Sequence, residues 1–176
     1  MNFERSLENF KKLQENSSIA TGNPQKQLII LVGSQGSGKS TLTKNRYPDA
    51  IVASADHHMV DNKTGKYVFD KKKLGFAHTM SKKTANDGMA KGHHTIVVDN
   101  TNTSMRDAKD YVEMAKKHGY KVKFVHTHAP LEQMIKRQLH NVPADIVKKY
   151  RENAERFAAE LPKLGYEVEK VDTSEK

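Results

Sequence analysis

The chain of 176 residues has no cysteine, no tryptophan and only five prolines. Without thiols there is no disulfide framework and no thiolate metal site, which fits a reducing, cytoplasmic setting. No apolar run approaches membrane-spanning length, so no membrane partner is expected. The opening residues Met1-Asn2-Phe3-Glu4-Arg5 lack the apolar stretch of a secretory leader. No internal repeat or low-complexity tract is present, which excludes solenoids and disordered linkers as the main content. Acidic residues are the minority: 30 Lys and Arg face 21 Asp and Glu, a formal net charge of +9. Such an excess aids solubility, and it also suits a polyanionic partner, since clustered cations release counterions from nucleic acid. The length is that of one domain with a substantial core.

Apolar runs alternate with helical periodicity along most of the chain. Residues 2–15 place Phe3, Leu7, Phe10 and Leu13 at helical spacing, and 17–25, with Gly22 and Pro24, read as a connector. The pattern therefore divides into an N-terminal amphipathic helix with its connector (1–26) and an α/β domain (27–176). Within that domain it predicts strands over 27–32, 50–54, 95–98, 121–127 and 167–171. It predicts helices over 39–46, 70–91, 104–118, 131–139 and 144–160, with Leu74, Ala77, Ser81 and Ala85 on one face of the second and Gly119 ending the third. Repeated strand–helix alternation implies a parallel five-stranded sheet with right-handed crossovers and helices on its faces.

The segment Gly33-Ser34-Gln35-Gly36-Ser37-Gly38-Lys39-Ser40 follows the apolar run Leu28–Val32 and precedes a helix beginning at Lys39-Ser40-Thr41. It fits G-x-x-x-x-G-K-[ST] in the strand–loop–helix context that gives the motif meaning. Glycines at 33, 36 and 38 let the main chain wrap so that successive N–H groups face a polyphosphate. The helix start adds unpaired N–H groups and a positive dipole end. Lys39 is the expected ligand of the β- and γ-phosphates, and Ser40 that of Mg²⁺. The expected cofactors are thus ATP and Mg²⁺, and the fold class is a P-loop NTPase.

In open parallel sheets, ligands gather at the carboxyl ends of the strands. Two acids sit there: Asp56 after Ile51–Ala55, and Asp99 after Thr95–Val98. Phosphoryl transfer needs a carboxylate to accept the proton of the attacking hydroxyl. One of the two is the expected base, and the other serves Mg²⁺ or the acceptor. Asp99-Asn100-Thr101-Asn102-Thr103 is dense in hydrogen-bonding side chains, as an Asx-rich turn into the following helix, as substrate contacts, or as both. The nine histidines include His126 and His128, which would share a strand face, but none has the spacing of a metal motif. Lys136-Arg137, His140, Lys148-Lys149 and Arg151 surround Val142-Pro143. They read as solvated helix faces, or as a lid over 136–151 in which Arg137 neutralises charge on the transferred group.

These segments, with Gly65-Lys66-Tyr67-Val68-Phe69, Ala77-His78, Gly119-Tyr120-Lys121-Val122 and Lys136-Arg137…His140-Asn141-Val142, resemble the polynucleotide-kinase-like P-loop kinases. That family includes the bacteriophage 5′-end-healing polynucleotide kinases. The likeness is closer to the kinase-like domains of certain eukaryotic ubiquitin-ligase-binding proteins, and it extends over about residues 27–155. The resemblance implies a fold like that of nucleoside monophosphate kinases with a helical lid. It implies Asp56 as base, Lys39 and Ser40 on phosphate and metal, Asp99 on the acceptor side, and Arg137 in the lid. There are departures. His57 stands where relatives often have a second acid, and Met59 stands where the phage enzymes have an arginine for the acceptor phosphate. A further lid arginine is replaced near His140-Asn141, and no Asp-x-Asp-Gly-Thr phosphatase motif follows. The expected function is ATP-dependent phosphorylation of a nucleic-acid hydroxyl, most simply a 5′-OH end of DNA or RNA. The alternatives are a kinase for a nucleoside, nucleotide or sugar-nucleotide, and a nucleotide-dependent binding module with little transfer activity.

Overall fold

The structure, a computed structural model, describes residues 24–175. Five parallel strands, β1 (Gln27–Val32), β2 (Ile51–Ala53), β3 (Thr95–Val98), β4 (Lys121–His128) and β5 (Glu167–Asp172), form one sheet in the order β2-β3-β1-β4-β5. Around it lie α1 (Lys39–Arg46), α2 (Leu74–Ala90), α3 (Met105–His118), α4 (Leu131–Arg137) and α5 (Ala144–Glu160). The helix expected over 2–15 and most of its connector lie outside the described residues. Among those described, no helix is long and apolar enough to cross a membrane.

Because β1 is central and covered on both sides, it is apolar without alternation. Leu28, Ile30 and Val32 join Ala85 and Met89 of α2, Ala108, Tyr111 and Val112 of α3, and Ala154 and Phe157 of α5. Ile29 and Leu31 face the other way, with Val97 and Val125, toward Leu42 of α1 and Tyr47. Each such fully buried aliphatic side chain contributes about 1.5–3 kcal/mol. With β3 and β4 on either side of β1, the carboxyl end of β1 opens on the crevice where the strand order reverses, and the glycine-rich loop occupies it.

The observed boundaries depart from expectation where side chains intervene. The helix expected over 70–91 divides, because the Asp70 carboxylate accepts the Lys72 N–H at 2.9 Å and starts a 3₁₀ turn, Lys71–Lys73, before α2 proper. β2 is three residues rather than five, limited by its partners Ile96, Val97 and Val98. α4 stops at Arg137 rather than 139. Gln138 is extended, and its Oε1 accepts the N–H groups of His140 (3.1 Å) and Val142 (2.9 Å). α3 follows the expected pattern: Ser104 caps its start by accepting the Asp107 N–H, and Gly119, with φ 74°, ends it.

Candidate active site

The glycine-rich loop is fastened from four directions. The Gly33 N–H donates to the Thr101 carbonyl at 3.0 Å, and the Ser37 hydroxyl pairs with that of Thr127 at 2.7 Å. The Ser34 hydroxyl donates to the Val147 carbonyl of α5 at 2.8 Å and also reaches Gln35 Oε1. Beyond β5, Thr173 donates its hydroxyl to the Ser37 carbonyl at 2.8 Å. Gly36 takes a φ of 72°, and a Cβ there would lie 2.0 Å from the Met134 carbonyl oxygen, so only glycine fits beneath α4. Gly38 caps α1 in the left-handed region at φ 87° and leaves the first amides of the helix without a side-chain cap. No acid stands in the first turn of α1, and its basic residues, Lys44 and Arg46, are in the last. The N-terminus thus keeps its full positive potential toward an anion.

Lys39 folds back over this loop. Its Nζ donates to the carbonyls of Gly33 (3.0 Å) and Ser34 (2.8 Å). Burial lowers its pKa to about 8, against the opposing pull of Asp99 and Asp56. Ser40, next in the helix, donates its hydroxyl to Asp99 Oδ2 at 2.8 Å. Asp99 is 8 % exposed. Burial raises its pKa, opposed by the Lys39 cation and the Ser40 hydrogen bond. A cation, a hydroxyl and a buried carboxylate therefore meet at the adjoining ends of β1 and β3. Two hard oxygen donors next to a phosphate cradle suit a divalent ion such as Mg²⁺.

The remainder of the Asp-Asn-Thr-Asn segment stitches the strand ends together. Asn100 Oδ1 accepts the Ala55 N–H at 2.9 Å, which fixes the loop that carries Asp56. The Asn100 amide also reaches Ser81 and Tyr111. Asn102, with φ 45°, donates to the Leu31 carbonyl at 2.7 Å. The main-chain carbonyl of Thr101 receives the Gly33 N–H. The side chains of Asn100 and Asn102 are thus engaged inside the protein, and Asp99 faces Ser40 and Lys39.

Asp56 opens a 3₁₀ turn, Asp56–His58, after β2, with its side chain 59 % exposed. Its charge is felt at both Lys39 and Asp99. Two residues that spacing alone had not singled out as its partners flank it. Tyr67 lies against Asp56, and burial, then the Asp56 charge, push its pKa up to about 12. The His140 ring stacks on Tyr67 with centroids 3.6 Å apart, and its Nε2 is 3.8 Å from Asp56 Oδ2. The α4–α5 connection therefore touches the Asp56 loop. Within the segment 136–151, the helical half is anchored, since Val147 is fully buried and its carbonyl holds Ser34. Arg137 is held by Gln133 Oε1 (3.0 Å, from Nη2) and Glu175 Oε1 (3.2 Å, from Nε). Thr41 and Gln35 complete the loop region, exposed and half-buried respectively. Thr173 and Glu175 had no signal in the sequence, because their role follows from the place where β5 ends.

A parallel sheet in this order, with a glycine-rich phosphate loop between β1 and α1, defines a P-loop kinase-like domain. The AAA-domain family matches residues 28–160, and the chain belongs to that family. It is 32% identical over 139 residues to human NEDD4-binding protein 2, a match covering 75% of this chain and 8% of that protein. The chain therefore spans under a tenth of that relative's length. Among solved structures it is similar to a putative kinase from Chloroflexus aurantiacus, with 18% identity and a TM-score of 0.63, covering 85% of this chain and 89% of that one. A chain of the Pnkp1/Rnl/Hen1 RNA repair complex is similar at 19% identity and TM-score 0.63, covering 80% of this chain and 47% of that chain.

Proposed function

We propose that the domain is an ATP- and Mg²⁺-dependent kinase that phosphorylates a hydroxyl of nucleic acid, a 5′-OH end being the simplest acceptor. The loop amides and Lys39 hold the triphosphate. Magnesium, when bound, neutralises charge on the β- and γ-phosphates, and Ser40 and Asp99 are the residues that would hold it. Asp56 takes the proton of the acceptor hydroxyl as that oxygen bonds to the γ-phosphorus. The bond from the γ-phosphorus to the β-phosphate oxygen breaks, and ADP leaves with its electron pair. Asn100 keeps Asp56 in place through Ala55 N–H. Arg137, once parted from Glu175, is the cation available to the transferred group.

The observation that carries the reading is the pairing of Ser40 with Asp99 at 2.8 Å beside Lys39, with a second, exposed carboxylate at the end of the outer strand. Two acids in different surroundings suit two roles, and the buried one meets the P-loop hydroxyl. On this reading Asp99 serves the metal side, rather than the acceptor side that the family resemblance implies, and the acceptor proton falls to Asp56. The likeness to a chain of an RNA repair complex and the charge of +9 support a nucleic-acid acceptor.

A small-molecule acceptor is the second reading. It is favoured by Met59, buried at 2 % exposure, where the phage enzymes have an arginine for the acceptor phosphate. Transfer of label from γ-labelled ATP to 5′-OH oligonucleotides, nucleosides and sugar-nucleotides distinguishes the two. Label on DNA or RNA ends, with a KM that rises with salt, supports the first reading. Label only on small acceptors, without salt dependence, overturns it in favour of the second.

A further inference from the structure

The stretch after Asp56 leaves large apolar side chains uncovered. Val68 is 53 % exposed, Phe69 58 % and Phe76 61 %. Phe76 lies on α2 but off its buried stripe of Ala77, Ser81, Ala85 and Met89, so packing of the core does not account for it. Beside it, a hollow of about 340 Å³ is lined by His57, His58, Val60, Asn62, Lys73 and Phe76. His57 and His58 directly follow Asp56 in one 3₁₀ turn, so the hollow opens next to that carboxylate.

The charge around the patch has one prevailing sign. Lys63, Lys66, Lys71, Lys72 and Lys73 are exposed, and none forms an ion pair among the described residues. Asp61 and Asp70 are the acids interleaved with them. Asp61 accepts from the N–H groups of Lys63 and Thr64, and Asp70 accepts from that of Lys72. Both carboxylates thus serve the local turns. Exposed aromatic faces among unpaired cations are the combination that binds single strands, in which bases stack on rings and ammonium groups follow the phosphates. A duplex, whose bases are stacked on one another, cannot use the rings.

We propose that Phe69, Phe76 and Lys71–Lys73 form a platform for single-stranded nucleic acid. It holds the nucleotides 3′ of the acceptor while the terminal 5′-OH lies at Asp56. The platform rests on the reading of the domain as a polynucleotide kinase and adds how the strand is held.

The test compares two acceptors, a 5′-OH single-stranded oligonucleotide and a nucleoside 3′-phosphate, in steady-state transfer from labelled ATP, together with fluorescence anisotropy of the oligonucleotide across a salt series. Phe76→Ala and Phe69→Ala each raise the oligonucleotide KM about tenfold relative to that of the nucleoside 3′-phosphate, in line with one lost base stack. Phe76→Tyr retains the wild-type ratio, whereas Phe76→Leu, apolar but unable to stack, does not. Replacing Lys71, Lys72 and Lys73 together by Ala reduces the slope of log affinity against log salt by about 2, at about 0.7 per phosphate. If wild-type protein labels both acceptors and these variants leave the ratio and the slope as they were, the platform is overturned and the kinase reading stands. Wild-type transfer to the nucleoside 3′-phosphate alone also overturns the platform. Transfer to neither acceptor overturns the kinase reading and the platform with it.

Discussion

Lys39 has a charge that its surroundings work to remove. Burial lowers its pKa from 10.5 to about 8 although two carboxylates oppose the shift. A bound triphosphate favours the cation, so ATP affinity is full below about pH 8 and falls by up to about tenfold per pH unit above it. Calorimetric titrations across that range check this, and a flat profile contradicts it. Asp99, raised by burial and paired with Ser40, points to a second residue-level outcome. Asp99→Asn keeps the shape and removes the charge, and the Mg²⁺ concentration for half-maximal transfer should rise about 10–100-fold, the scale for disturbing a metal's supporting ligands. Asp56→Asn should leave the fold intact and lower turnover about 10²–10⁴-fold, the contribution of a general base. Rates from labelled ATP with the best acceptor measure both. Full activity of Asp56→Asn would move the role of base elsewhere.

At the scale of elements, the polar segments after the strands hold the site by bonding to one another and to the helices around them, as Asn100 does to Ser81 and Tyr111 and Ser34 to the Val147 carbonyl. Asn100 fastens the Asp56 loop through the Ala55 N–H, and removal of its side chain leaves that donor without its partner. Asn100→Ala is therefore expected to lower stability by about 1–3 kcal/mol, read from urea unfolding, with a further loss of turnover as the Asp56 loop loosens. The strand–helix order and the phosphate loop were legible because each leaves a local mark: apolar runs for buried strands, helical periodicity, Ser104 and Gly119 at the ends of α3. The start of α2 and the end of α4 were not, because they depend on side chains that bond back to the main chain, Asp70 in one case and Gln138 in the other. The same holds for the site. Gly33–Ser40 could be read directly, whereas the contact of Asp99 with Ser40 spans 59 positions in sequence. The meeting of Asp56 with Tyr67 and His140 depends on how two loops fold toward each other.

At the scale of the molecule, the sheet ties distant charges into one pH response. His126, 5 % exposed on β4, has its pKa lowered from 6.5 to about 4, first by burial and then by Lys170 on the neighbouring strand. The unfolded chain therefore binds a proton that the folded one refuses between those values. The stability due to the neutral imidazole is complete above about pH 6.5 and is lost as pH falls toward 4. At about 1.36 kcal/mol per pH unit, it contributes about 2 kcal/mol of destabilisation between pH 7 and pH 5. His126→Asn should flatten that part of the pH profile of urea unfolding.

Phosphoryl transfer by this domain requires the main-chain cradle at the end of β1 to hold the phosphates of ATP. Isothermal titration calorimetry with ATP and Mg²⁺ measures this directly. Saturable one-to-one binding that Lys39→Ala weakens is the predicted result. No heat of binding to the folded wild-type protein at millimolar ATP would contradict it.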